Sequence, residues 1–159
     1  NNGQLPVFLS EQQPVEQRPF FTQSSQSTSG SYTIERIHSA WQQARVNNKK
    51  IMLVLGSDSC DRCALLQRYV TDDTMSQRLA SRYIILGIDV ANSDFSIAVG
   101  ETGIPQEQLP AILLLNTVNS FEQTMQSEEV LAFLPEPYEP IYQWIENIIH
   151  YTDQKLAAL

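Results

Sequence analysis

Hydrophobic positions along the chain alternate between two spacings, which predict amphipathic helices and short buried strands in turn. Apolar side chains recur at helical spacing over about 33–47, and this predicts a first helix. A continuous apolar run covers 51–55 between two lysines and a glycine, and a run this short predicts a strand covered on both faces. Similar runs predict two further strands, over 83–90 and 111–115.

Polar residues mark where the helices between these strands are expected to begin. The polar run 57–59 can cap a helix that begins near Cys60. Asp72 and the two residues after it can cap a second, shorter helix. The segment 91–108 is polar and irregular, and it predicts a loop with at most one helical turn at 96–99.

The last part of the chain predicts a strand and two helices. Residues 121–125 can form a strand after a turn at 116–120, whereas 128–134 has helical spacing. Pro140 suits the first turn of a final helix, where its missing N–H costs nothing. One apolar stripe is expected to join the core through Tyr138, Ile141, Trp144, Ile145 and Ile148. The alternation of strands and helices predicts an α/β sandwich with a central mixed sheet flanked by helices.

Composition narrows the class of protein. The chain has 159 residues, of which 42% are hydrophobic and 18% charged, and this predicts one folded domain rather than bulk disorder. The net charge of −8 argues against a nucleic-acid binder, because phosphate contacts need Lys and Arg. The longest apolar run is far shorter than the roughly 20 residues of a membrane-spanning helix, so we expect peripheral or no membrane contact.

The first part of the chain differs from the rest. Residues 1–31 are rich in Gln and Ser, contain no Lys, and predict a polar arm or linker ahead of a domain over 32–159. Phe20 and Phe21 are the candidate anchors of this arm on the domain or on a partner. The chain lacks an initiator Met and a signal-like segment, so we expect the mature form of an exported, periplasmic protein. A cytoplasmic location stays open.

A Cys-x-x-Cys motif, Cys60-Asp61-Arg62-Cys63, follows a predicted buried strand at a predicted helix start. This spacing places both sulfurs within one helical turn, close enough for a disulfide. The helix N-terminus offers unpaired N–H groups that lower the pKa of a thiol, so Cys60 is the candidate nucleophile. Cys63, one turn further in, can resolve the mixed disulfide that Cys60 forms. Asp61 should raise the pKa of the Cys60 thiol and Arg62 should lower it.

The chain resembles the thioredoxin superfamily over about 33–150. The resemblance rests on the strand before the motif, the motif itself, the strand at 83–90, and Leu109-Pro110 ahead of the strand at 111–115. It is nearest to the branch that includes the C-terminal domain of the bacterial transmembrane disulfide reductase. The resemblance implies a thioredoxin-like three-layer sandwich, Cys60 as attacking and Cys63 as resolving cysteine, and a cis peptide bond at Pro110. It also implies that the backbone of Leu109 pairs with a bound substrate strand.

Two positions depart from the family pattern. Ser59 stands where the family usually has Trp before the first cysteine, and Val54 stands where thioredoxins carry a buried acid. That acid helps to move a proton when the resolving thiol attacks. Asp58 and Asp61 are candidates for this role, although both are expected to be exposed.

Two functions of different classes therefore remain open. The first is a thiol–disulfide oxidoreductase, leaning to reductase, whose cysteine pair is its own redox centre and needs no cofactor. Its partners would be proteins with cysteines or disulfides and a redox partner that regenerates the pair. Its substrate groove would use Ser59, Asp61, Arg62, Leu109 and Pro110. The second function is a thioredoxin-fold binding or scaffold protein of a cell-envelope assembly.

Metal binding is a weaker alternative role for the two cysteines. Zinc needs four ligands, and beyond the two cysteines the chain has only His38 and His150. We expect these histidines to be satisfied or solvated side chains, so no metal is predicted. The acidic residues Glu128, Glu129, Glu136 and Glu139 are expected to form a solvated face that could also steer a basic partner.

Overall fold

The computed structural model describes residues 31–57, 60–90, 109–126 and 129–156, with side chains from residue 34 onward. Nearly all of the predicted arm over 1–31 lies outside these residues, as does the predicted turn at 96–99. Asp58, Ser59 and Glu128 also lie outside them.

A mixed sheet forms the centre of the described fold. Its four strands are β1 (Lys50–Gly56), β2 (Tyr83–Asp89), β3 (Ala111–Leu115) and β4 (Val130–Phe133). They lie in the order β2-β1-β3-β4, with β1 parallel to β2, and with β3 antiparallel to both β1 and β4. The three strands predicted from continuous apolar runs are therefore confirmed.

Helices connect and flank these strands. They are α1 (Ser31–Asn47), α2 (Asp61–Thr71), α3 (Asp73–Ala80), α4 (Phe121–Thr124) and α5 (Ile141–Tyr151), and a π-helical segment Thr152–Leu156 follows α5. The predicted end of the first helix is confirmed, because Asn48 takes a left-handed φ of 58° directly after α1. Asp72 caps α3 as predicted, since its carboxylate accepts the N–H groups of Thr74 and Met75.

The core lies on both faces of the sheet. Every residue of β1 and β3 is buried, so helices cover the two faces of both central strands. On one face α1 and α4 meet through a ring cluster of His38, Trp41 and Phe121. On the other face α2 packs against α5, with Tyr69 against Tyr142. The predicted three-layer α/β sandwich is confirmed.

Two predicted elements near the end of the chain have the wrong type. Residues 121–125, predicted as a strand, form the short helix α4, whose N-cap Ser120 accepts the N–H of Gln123 through its hydroxyl. Residues 128–134, predicted as a helix, contain strand β4. Strand pairing decides the secondary structure of this segment, because Val130 lies opposite Leu115 and Phe133 lies opposite Ile112 along the free edge of β3.

The apolar stripe of the last helix is confirmed except at its first position. Ile141, Trp144, Ile145 and Ile148 are all buried. Tyr138 was predicted with them, but it is 96% exposed. The reason is that α5 begins after Pro140, which is the N-cap and not a first-turn residue, so Tyr138 precedes the helix and does not share its periodicity.

Candidate active site

The Cys-x-x-Cys motif lies where β1 leads into α2. Cys60 is the N-cap of α2, and its sulfur accepts the N–H of Cys63 at 3.0 Å. The capping residues predicted from sequence were 57–59, and the cap is instead the cysteine itself. The backbone N–H of Cys60 donates to the carbonyl of Ser57, which is buried. The local chain thus holds the first sulfur against the unpaired N–H groups of a helix start.

The two cysteines form a disulfide, with Cα atoms 5.1 Å apart. Their surroundings differ, because Cys60 is half-buried whereas Cys63 is 0% exposed. Cys60 is therefore the member of the pair that keeps some exposed surface, whereas Cys63 keeps none. This asymmetry suits an attacking cysteine followed by a resolving one.

Leu109 and Pro110 lie at the same edge of the sheet as the motif. Ala111 at the start of β3 pairs with Leu55 near the end of β1, so the two residues before β3 lie beside the chain that leads to Cys60. Both are buried, and the peptide bond that joins them is cis. Six of the seven predicted site residues thus lie around one end of the two central strands, while Ser59 lies outside the described residues.

The two central residues of the motif point to different surroundings. Asp61 is exposed in the first turn of α2. Arg62 instead turns its guanidinium toward the segment between β4 and α5. There it donates to the carbonyl of Glu136 at 3.3 Å and to that of Glu139 at 2.7 Å. The charge of Arg62 is thus directed at a neighbouring turn, whereas the charge of Asp61 stays beside Cys60 in the chain.

The segment Glu136 to Glu139 forms a closed turn, which we call the Tyr138 turn. The N–H of Glu139 donates to the Glu136 carbonyl at 3.1 Å, and the N–H of Glu136 donates to Glu139 Oε1 at 3.1 Å. Asn147 on α5 donates to Glu139 Oε2 at 3.3 Å. Glu136 is exposed as predicted, but the side chain of Glu139 is an internal acceptor. The contacts of Arg62 with this turn have no local signal in the sequence, because they span 74 and 77 residues.

The strands beneath the motif contain one buried acid that sequence reasoning did not single out. Val54, at the family position of the buried acid, is 0% exposed, so its surroundings are apolar. Asp89 ends β2 opposite Gly56, and it is 1% exposed. Its carboxylate therefore lies at the end of the sheet where the motif begins. The signal in the sequence was a single acid closing an otherwise apolar strand.

Other ionisable groups with perturbed pKa values lie on α3, on α5, on the π-helical segment and around the start of β2. Hydrogen bonds from Arg82 lower the pKa of Asp153, and those from Arg78 lower the pKa of Glu146. Burial raises the pKa of Tyr83, whose hydroxyl pairs with Thr152. These groups support the attachment of the last helix and do not belong to the motif.

Metal binding, membrane crossing and a surface depression concern parts of the described fold other than the motif. Within the described ranges, no three His, Cys, Asp or Glu side chains gather as metal ligands would. Among the same residues, no helix combines the length and the apolar character needed to cross a membrane. An open depression of about 420 Å³ lies along α2 and α3, with Leu65, Tyr69 and Met75 in its wall. None of the predicted site residues lines it.

Comparisons with known proteins agree with this geometry. A family model described as thioredoxin-like matches residues 33–117, which is more than half of the chain. No curated protein matched. A thioredoxin from Thermus thermophilus superposes with a TM-score of 0.54, at 13% identity over 74% of this chain and 84% of that one.

Two further solved structures are similar in part. Chloroplastic thioredoxin z has 19% identity over 75% of this chain and 88% of its own, with a TM-score of 0.48. A disulphide isomerase from Xylella fastidiosa Temecula1 has 21% identity over 57% of this chain and 70% of its own, with a TM-score of 0.44. The Thermus superposition supports the fold, and the family match supports the resemblance seen in the sequence.

Proposed function

Because the chain belongs to the thioredoxin-like family, we propose that it is a thiol–disulfide oxidoreductase that reduces disulfides of other proteins through Cys60 and Cys63. A thioredoxin-like fold with such a pair supports thiol–disulfide chemistry in general, and thioredoxin-like proteins act on protein thiols or disulfides. One observation carries the proposal for this chain. A half-buried cysteine at the start of α2 is joined by a disulfide to a fully buried cysteine a single turn away.

The reaction begins with the reduced pair. The Cys60 thiolate attacks one sulfur of a substrate disulfide, forms a mixed disulfide, and releases the other substrate sulfur as a thiolate that takes up a proton. Cys63 then loses its proton and attacks Cys60, which releases the second substrate thiol. The protein ends with the Cys60–Cys63 disulfide, and the substrate has gained two electrons and two protons. A dithiol partner must reduce the pair again before the next cycle.

The proposed substrate groove lies at the end of the central strands β1 and β3, beside the motif. Leu109 and Pro110 flank the motif, and the backbone of Leu109 would pair with the substrate strand as in the family. Ser59 and Asp61 would complete the groove on the motif side. These residues bind and orient the substrate, so that its disulfide meets the exposed side of Cys60.

The charges around the motif favour reduction over oxidation. Cations near an attacking cysteine stabilise its thiolate, and a stabilised reduced form makes a pair more oxidising. Here Arg62 donates to turn carbonyls, while the acid Asp61 follows Cys60 directly. Asp61, whose charge stays beside Cys60, opposes the stabilisation that the thiolate gains from the helix start, and this supports a reducing pair.

A redox titration tests the proposal. The purified protein is equilibrated with glutathione buffers, its free thiols are trapped, and turnover of a protein disulfide is followed with dithiothreitol as reductant. We expect a reversible two-electron transition nearer to about −270 mV than to about −120 mV. Cys60→Ser should abolish turnover. A pair that never titrates would overturn the proposal and leave the scaffold function.

A further inference from the structure

The Tyr138 turn exposes an aromatic side chain beside the motif. Tyr138 is 96% exposed, whereas most large apolar side chains of the described fold are buried or half-buried. A fully exposed Tyr keeps an apolar ring and a polar hydroxyl in water, and Tyr is among the residues that dominate protein-binding surfaces. Nothing in the packing of α5 requires this ring, because the buried stripe of the helix begins after it, at Ile141.

The backbone that carries this ring is held from several sides. Glu136 and Glu139 close the turn on each other, and Asn147 fixes the Glu139 carboxylate from α5. Arg62 binds the carbonyls on both sides of the exposed ring. A ring on a preorganised turn loses less conformational freedom on binding than one on a mobile loop.

Arg62 also sets the distance between the turn and the disulfide. It lies two residues after Cys60, and its guanidinium touches Glu139 O at 2.7 Å. The turn is thus within about one arginine side chain of the first turn of α2. An extended polypeptide advances about 3.3 Å per residue. A substrate with its disulfide at Cys60 would reach Tyr138 with a residue on the order of four positions away.

Charge defines what that substrate residue would be. Glu136 on the turn and Asp61 beside Cys60 are both exposed acids. Arg62 adds one positive charge to this surface, with its donors directed at turn carbonyls, so the two acids outnumber it. The face of an aromatic ring attracts Lys and Arg, and nearby carboxylates add to this attraction. A basic side chain thus fits this surface, whereas an acidic one is repelled by it.

We propose that the Tyr138 turn is a recognition element for protein substrates that carry Lys or Arg about four residues from the target cysteine. This inference rests on the proposed oxidoreductase function and names the substrate class of the same site. Tyr138 contacts the basic side chain, and Arg62 positions the turn next to the cysteines. Electrons move only between the substrate disulfide and the Cys60–Cys63 dithiol, as above.

Steady-state kinetics with matched substrates tests this inference. Two disulfide-linked peptides are used that differ only in having Arg or Glu four residues from the cysteine, with a small disulfide as reference and dithiothreitol as reductant. The wild-type protein should prefer the Arg peptide by about tenfold in kcat/KM. Tyr138→Ser should raise KM for the Arg peptide about three- to tenfold relative to the small disulfide, without lowering kcat.

The control is Val46→Ser, because Val46 is an apolar residue that is 84% exposed on α1, outside the motif and the Tyr138 turn. It should keep the wild-type preference for the Arg peptide. If Tyr138→Ser keeps that preference as well, or if the wild-type protein turns over both peptides equally, the recognition role is refuted while the oxidoreductase stands. If the wild-type protein reduces none of the three disulfides, the proposed function itself fails. Equal melting temperatures of the variants exclude loss of folding as the cause.

Discussion

Replacing Arg62 with Met should release the Tyr138 turn from α2. The substitution keeps an apolar stem of similar length and removes the guanidinium, and with it the bonds to Glu136 O and Glu139 O. The bond to Glu139 O is short and partly buried, whereas the bond to Glu136 O is longer and exposed, so water can replace the second but not fully the first.

The cost follows from these two environments. A hydrogen bond from a charged group contributes about 1.5–3 kcal/mol when it is shielded from water and much less when it is exposed. We therefore expect Arg62→Met to lower the free energy of unfolding by about 2 kcal/mol. A domain of this size loses roughly 4 °C in Tm per kcal/mol, so Tm should fall by roughly 8 °C.

Thermal unfolding of the oxidised protein at pH 7 measures this change, with Arg68→Met as the matched control. Arg68 is an exposed arginine on the same helix and makes no recorded hydrogen bond or ion pair within the described part of the chain. Its replacement should change Tm by no more than about 2 °C. Amide exchange at Glu139, whose N–H closes the turn, should also become faster in Arg62→Met. Equal losses of Tm in the two variants would refute the argument that Arg62 holds the turn.

The burial of Cys63 and the ion pair between Arg82 and Asp153 can each be tested by substitution. Iodoacetamide should modify Cys60 in reduced Cys63→Ser at least about 30 times faster than it modifies Cys63 in reduced Cys60→Ser, because Cys63 must first become exposed by local opening. Mass spectrometry measures both rates, and equal rates would contradict the proposed order of attack. Hydrogen bonds from Arg82 at 2.9 Å lower the pKa of Asp153 below its usual 3.8. Its stabilisation is therefore present above about pH 4 and lost as the pH falls through the lowered pKa. Asp153→Asn should accordingly flatten the acid limb of a plot of Tm against pH, and an unchanged limb would count against this pair.

The central strands could be predicted because burial leaves a direct mark on their composition. A strand covered on both faces has no polar side to present, so 51–55 and 111–115 appear as unbroken apolar runs. The start of α3 was equally local, since Asp72 caps the helix within its own turn. Elements whose type is decided within a few residues are the ones that a single sequence can place.

The exchange of strand and helix near the end of the chain has a different cause. The segment at 121–125 and strand β4 are short, and neither contains enough residues to distinguish helical from alternating spacing. A single serine, Ser120, starts the helix. Val130 and its neighbours form a strand because they pair with the open edge of β3, which is distant in the chain. The deciding interactions for β4 were therefore outside the window from which its type was predicted.

The candidate site also combines features that are local in the sequence with contacts that are not. Cys60 and Cys63 could be found because disulfide spacing and a helix start are local properties, and their unequal exposure then follows from one turn of α2. The role of Arg62 could not be found, because its partners lie 74 and 77 residues away. That contact changes the expected electrostatics, since a cation predicted to act on Cys60 binds a turn instead. The chemistry proposed for Cys60 and Cys63 is thus encoded within the motif, whereas the proposed substrate surface depends on the distant segment that Arg62 contacts.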